Sequence, residues 1–131
     1  MRVFAAFFFV LAAAATAADD EPIVKLIKSK VKDQAKPFTL IVTAKIKDGT
    51  MAKLEAAFAP CGTATRKEPG CVSYDLSTDP DKPGTIVLIE RWKSVAAIEA
   101  HLKQPYTQAF LKTMPEWSAG APEFKILLPV E

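Results

Sequence analysis

Three features of the sequence predict an α+β fold. Residues 38–47 alternate with period two, residues 71–92 read as two apolar strands around a turn containing Pro80, Pro83 and Gly84, and a helical apolar spacing follows each of these units. The resulting order is strand, helix, strand, strand, helix, strand. That order is the split ferredoxin-like βαββαβ arrangement, with one antiparallel sheet and both crossover helices on one face.

Residues 1–18 read as a signal peptide: Arg2 is a short positive region, Val3 to Ala15 an apolar run, and Ala15-Thr16-Ala17 or Thr16-Ala17-Ala18 a small-residue cleavage site. The run is shorter than the roughly 20 residues that span a bilayer. No cysteine stands at the cleavage point to carry a lipid. The expected destination is export, periplasmic or secreted, with no stable membrane insertion after cleavage.

Residues 19–36 form an N-terminal extension. Ile23, Val24, Leu26, Ile27 and Val31 share one helical arc and Lys25, Lys28 and Lys32 the opposite one, which predicts a short helix packed on its own domain. The domain proper, 37–131, opens at Pro37. Phe38, Leu40, Val42, Ala44 and Ile46 alternate with Thr39, Ile41, Thr43, Lys45 and Lys47, giving a strand that Asp48-Gly49 ends. Thr50 is the expected cap of a helix running from Met51 to about Lys67, with Leu54, Ala57, Phe58, Cys61 and Thr65 on its covered face. Pro60 predicts a kink or break in it.

On the second hairpin strand Ile86, Leu88, Glu90 and Trp92 share one face, and Val87, Ile89 and Arg91 the other, so both faces are apolar over most of their length. One layer of helices covers only one face. A second copy of the chain is therefore expected on the other, making a homodimer. Ser94 caps the next helix, Val95 to Lys103. Pro105 restarts a helical turn carrying Tyr106, Phe110 and Leu111, Pro115 ends it, and after a loop with Trp117 a last strand runs from Glu123 to Val130.

Composition excludes several function classes. The net charge of +2, which falls to +1 without Arg2, offers no basic patch for nucleic acid, and no Cys and His spacing suits a metal. Half the residues are hydrophobic, enough for a substantial core.

Glu68-Pro69-Gly70-Cys71 leading into Tyr74, then Glu90-Arg91-Trp92, then Glu99-Ala100-His101-Leu102 followed by Tyr106, resembles the antibiotic biosynthesis monooxygenase domain. The likeness covers roughly Phe38 to Phe110 in the expected element order. It implies a dimeric α+β barrel and small oxygenases without a cofactor, acting on quinols and polyketide-type phenols. The family also holds haem-degrading members and an isomerase of a signalling sugar phosphate, and the fold does not select among them. The haem-degrading branch would require an Asn on the first strand beside a Trp and a His, and residues 38–48 contain none.

Cofactor-free oxygenation needs an electron-rich substrate, a proton acceptor and exclusion of water. His101, the single histidine, is the candidate acceptor, set against a half-exposed boundary histidine. Tyr74 is a candidate hydroxyl donor or a packing residue. Trp92 is a candidate aromatic wall or a core residue, and Tyr106 and Phe110 are candidate substrate contacts. Glu90, a carboxylate in an apolar strand, needs a partner such as Arg66 or Arg91, or a raised pKa. Arg91 reads as an interface residue. Cys61 and Cys71, the only thiols, form a disulfide if helix and strand bring them level, and are otherwise two buried free thiols. Two functions follow: an exported oxygenase for a small aromatic, quinol-like or polyketide-like substrate, or a non-catalytic exported dimer that binds a small apolar ligand.

Overall fold

The computed structural model describes residues 20–131, so the expected leader lies outside the described residues. The elements are α1 (Pro22–Lys30), β1 (Phe38–Lys45), α2 (Met51–Thr65), β2 (Cys71–Thr78), β3 (Thr85–Trp92), α3 (Val95–Leu102), α4 (Pro105–Lys112), α5 (Met114–Trp117) and β4 (Glu123–Leu127). The strands form one antiparallel sheet in the order β2-β3-β1-β4. That is the ferredoxin-like order predicted from the sequence.

Alternation on the central strands sorts the side chains. Phe38, Leu40 and Ala44 of β1 and Ile86, Leu88 and Trp92 of β3 are buried beneath the helices. Leu54, Phe58 and Cys61 of α2, and Val95 and Ile98 of α3, complete that core. The other face carries Ile41, paired with Ile89, and Thr43, paired with Val87, all half-buried. No element of the described chain covers it.

Several local expectations are corrected. Thr50 makes no side-chain cap; its hydroxyl donates instead to the Lys47 carbonyl at 2.6 Å. Helix α2 runs unbroken through Pro60, because the one backbone bond lost there is outweighed by burial of Phe58, Cys61, Gly62 and Thr65 on either side. Pro115 starts a further turn rather than ending one, and Trp117 is buried in that turn, stacked on Phe110 at 5.8 Å. The last strand stops at Leu127. A bulge between Cys71 and Ser73 takes Val72 out of the ladder with β3 and leaves it 57% exposed. The Ser94 cap is present, its hydroxyl oxygen accepting from Ala97 N at 3.2 Å.

Candidate functional site

Between the covered sheet face and helices α3 and α4 lies a cavity of about 340 Å³. Its walls are mostly apolar: Leu40, Val42 and Leu88 from the sheet, Ile98 from α3, Phe110 from α4. Tyr74, Glu90, His101 and Thr107 supply polar groups along it. An apolar chamber with a few convergent polar groups is the usual form of a small-ligand site.

His101 is 2% exposed, not the half-exposed boundary residue weighed from its spacing. It sits on the last turn of α3 with its ring 4.7 Å from that of Trp92 and 5.4 Å from that of Tyr74. Its Nδ1 lies 3.0 Å from Glu68 Oε1 and 3.3 Å from Thr107 Oγ1. An ionised Glu68 can only accept, so Nδ1 carries the proton and the neutral ring keeps its lone pair on Nε2. Burial lowers the His101 pKa, and Glu68 partly opposes this. The ring is thereby a base at neutral pH rather than a cation.

Glu68 is held by the turn that its motif specifies. Cys71 N donates to Glu68 O at 3.1 Å, closing Glu68-Pro69-Gly70-Cys71, and Lys93 N donates to Gly70 O at 2.9 Å. A Cβ on Gly70 would fall 2.3 Å from Ala97 Cβ, so only glycine lets the turn lie against α3, the helix that carries His101. Tyr106 donates its hydroxyl to the same Glu68 oxygen. Glu68 and Thr107 were assigned no role from the sequence. Glu68 stood in the quoted motif, and its distance of 33 residues from His101 hid the contact.

Among the described residues Glu90 has no arginine partner. It is 6% exposed and accepts from Trp92 Nε1 at 2.9 Å, while Arg66 Nε donates to the Tyr74 carbonyl and Arg91 lies exposed on the opposite face. Removal from water raises its pKa to about 7; the Trp92 indole opposes this and the charge of Glu68 adds to it. Of the two outcomes weighed from the sequence, an arginine partner or a raised pKa, the second is found, with the Trp92 indole as a neutral donor.

Trp92 is fully buried behind His101 and Glu90 and does not line the cavity, so its expected place as a ligand wall is corrected to one of support. Tyr106 likewise acts on Glu68 and is not in the cavity wall, whereas Phe110 is. The Tyr74 ring lines the cavity, but its hydroxyl hydrogen-bonds with Cys61, and burial raises its pKa strongly. Raised in this way, the phenol keeps its proton and with it the capacity to donate a hydrogen bond. Cys61 and Cys71 are both free thiols: Cys61 faces the core near Thr65, and Cys71 stands at the start of β2 opposite Trp92.

Among the described residues no group of three or more His, Cys, Asp or Glu side chains could hold a metal ion, and no helix is long and apolar enough to cross a membrane. Fold and site define a class: a ferredoxin-like α+β domain enclosing an apolar, histidine-bearing chamber between sheet and helices. The chain belongs to the antibiotic biosynthesis monooxygenase family, whose model matches residues 37–113. It is 28% identical over 96 residues to an uncharacterized protein of Synechocystis, covering 73% of this chain and 65% of that protein. Over 61 residues it is 36% identical to YgiN of Escherichia coli, a probable quinol monooxygenase, covering 40% of this chain and 59% of that one. The chain thus spans less than two thirds of the length of these relatives. The structure of Rv0793 from Mycobacterium tuberculosis superposes with a TM-score of 0.67 at 28% identity, covering 73% of this chain and 97% of that one.

Proposed function

We propose that the cavity is an oxygenation site for a small phenolic or quinol-like substrate, working without a bound cofactor. The observation that carries this reading is the buried Glu68–His101 pair on the wall of an apolar chamber. His101 Nε2 takes the proton from the substrate hydroxyl, and Glu68 stabilises the imidazolium that forms. The resulting electron-rich anion reduces dioxygen and binds it at a ring carbon bearing hydrogen. His101 returns its proton to the peroxide anion. Loss of water then leaves a carbonyl: one oxygen atom stays in the product, the other leaves as water, and the substrate supplies all four electrons that dioxygen takes up. The apolar walls keep bulk water from protonating the anion. The probable quinol monooxygenase among the relatives supports the substrate class.

The test is oxygen uptake over a panel of naphthols and hydroquinones, against the autoxidation blank. Replacing His101 by Ala is expected to remove the roughly 10²–10⁴-fold that a general base contributes, with the fold retained by circular dichroism. Binding without uptake above the blank would instead favour a non-catalytic carrier of a small apolar ligand.

Two wider features belong to the same proposal. The signal-like leader supports export to the periplasm or beyond, which fractionation of cells expressing the full chain tests. The uncovered sheet face, with Ile41, Val87 and Ile89 at its centre, supports a homodimer closed sheet to sheet into an α+β barrel. A monomer by light scattering would overturn it.

A further inference from the structure

We propose that helix α1 is the specificity element of the cavity: Ile23 forms part of its wall and limits the ligand's length, and Glu21 turns away anionic ligands in favour of uncharged phenols. This rests on the cavity being the ligand site. Helix α1 precedes residues 37–113, so the shared domain does not supply this part of the wall. Glu21 and Ile23 nevertheless line the same cavity as His101. Exposed Leu111 and Phe124, with Gln108 and Pro122, complete the solvent side of the chamber.

The helix is fastened rather than loosely laid on. Val24, Ile27 and Val31 are buried, and Lys28 bridges to Glu99 of α3 at 2.7 Å and to Asp20 at 2.9 Å. Val95 N, at the start of α3, donates to Gln34 O in the segment that follows α1. The wall is thereby tied to the helix that carries the base. Its position is fixed relative to His101.

Charge gives the selection a sign. Among the described residues the lining holds two carboxyl side chains, Glu21 and Glu90, and no lysine or arginine. A carboxylate, sulfonate or phosphate group entering this space meets the solvent-exposed carboxylate of Glu21 and, deeper in, Glu90, whose raised pKa leaves it partly ionised near neutral pH. A neutral hydroxylated ring meets hydrogen-bonding partners and apolar walls. At about 340 Å³ the chamber stands near the lower end of ligand sites, which suits one or two rings with a short apolar substituent.

Calorimetric titration of α-naphthol and of the naphthalenesulfonate of the same skeleton tests this without requiring turnover. The unsubstituted protein is expected to bind the naphthol at least about tenfold more tightly than the sulfonate. Glu21→Lys should shrink that ratio chiefly by tightening the sulfonate, and Ile23→Ala should strengthen binding of a naphthol bearing a butyl chain relative to the parent. Unchanged ratios in both variants, with the naphthol still bound, overturn the role of α1 and leave the oxygenase reading standing. Altered ratios without oxygen uptake would do the reverse. Failure of the unsubstituted protein to bind either probe overturns both.

Discussion

On β3, Ile86, Leu88, Glu90 and Trp92 face the helices and are buried, whereas Val87 and Ile89 on the other face are half-buried and Arg91 is exposed. The same alternation on β1 separates Phe38, Leu40 and Ala44 from Thr39, Ile41 and Thr43. The covered face surrounds a chamber and contains a carboxyl with no countercharge among the described residues. The open face holds aliphatic and small polar side chains in a shallow, solvated layer. Similar amounts of apolar sequence therefore serve different ends, and what separates them is whether this chain's own helices lie above.

The contrast can be broken by substitution. Trp92→Ala, on the covered face, should destabilise the fold by about 3–5 kcal/mol in urea unfolding, since it opens a cavity and strips Glu90 of its donor. Glu90→Gln should act through pH. A carboxyl raised from 4.5 to about 7 favours the folded state while it is protonated, and that stability is lost as pH rises through about 7. At about 1.36 kcal/mol per pH unit the difference amounts to about 3 kcal/mol. The Gln variant, which keeps an acceptor for Trp92, should therefore match the parent near pH 4 and be more stable near pH 8. Equal melting curves across that range would contradict the assignment.

Gly70→Ala should cost about 1–3 kcal/mol by forcing the turn off α3, and should lower the proposed oxygenase turnover as Glu68 moves from His101. The smallest effect on the fold itself is expected on the open face. Ile89→Lys should change monomer stability by only about 0.5 kcal/mol, yet convert the proposed dimer to a monomer in light scattering. A large loss of monomer stability would show that this face is not the solvated layer described.

Much of this division was legible from the sequence. Period-two alternation gave the strands and the shared face of Glu90 and Trp92, and the Pro80, Pro83 and Gly84 turn gave the hairpin. Long-range geometry was not legible. No periodicity announces that a bulge will displace Val72, or that Glu68 on a turn will meet His101 on a helix. The charge rule that paired Glu90 with arginine missed that an indole N–H two residues along the same strand face reaches it first. Helix caps and prolines misled for a related reason: at Thr50, Pro60 and Pro115, tertiary packing overrode the local preference.

The two free thiols give the molecule built-in reporters of its own breathing. Cys61 is almost fully enclosed and its pKa is raised by burial, while half-buried Cys71 is pushed up to about 11, chiefly by burial and then by Glu68. Alkylation of Cys61 must therefore wait for an opening event, and that of Cys71 is slow in the closed state and speeds up when the turn opens. Cys71 labelling follows excursions of the turn beside His101, and Cys61 labelling follows loss of the whole core. The ratio of the two rates, with and without ligand, separates local opening from global unfolding in one experiment without adding a probe.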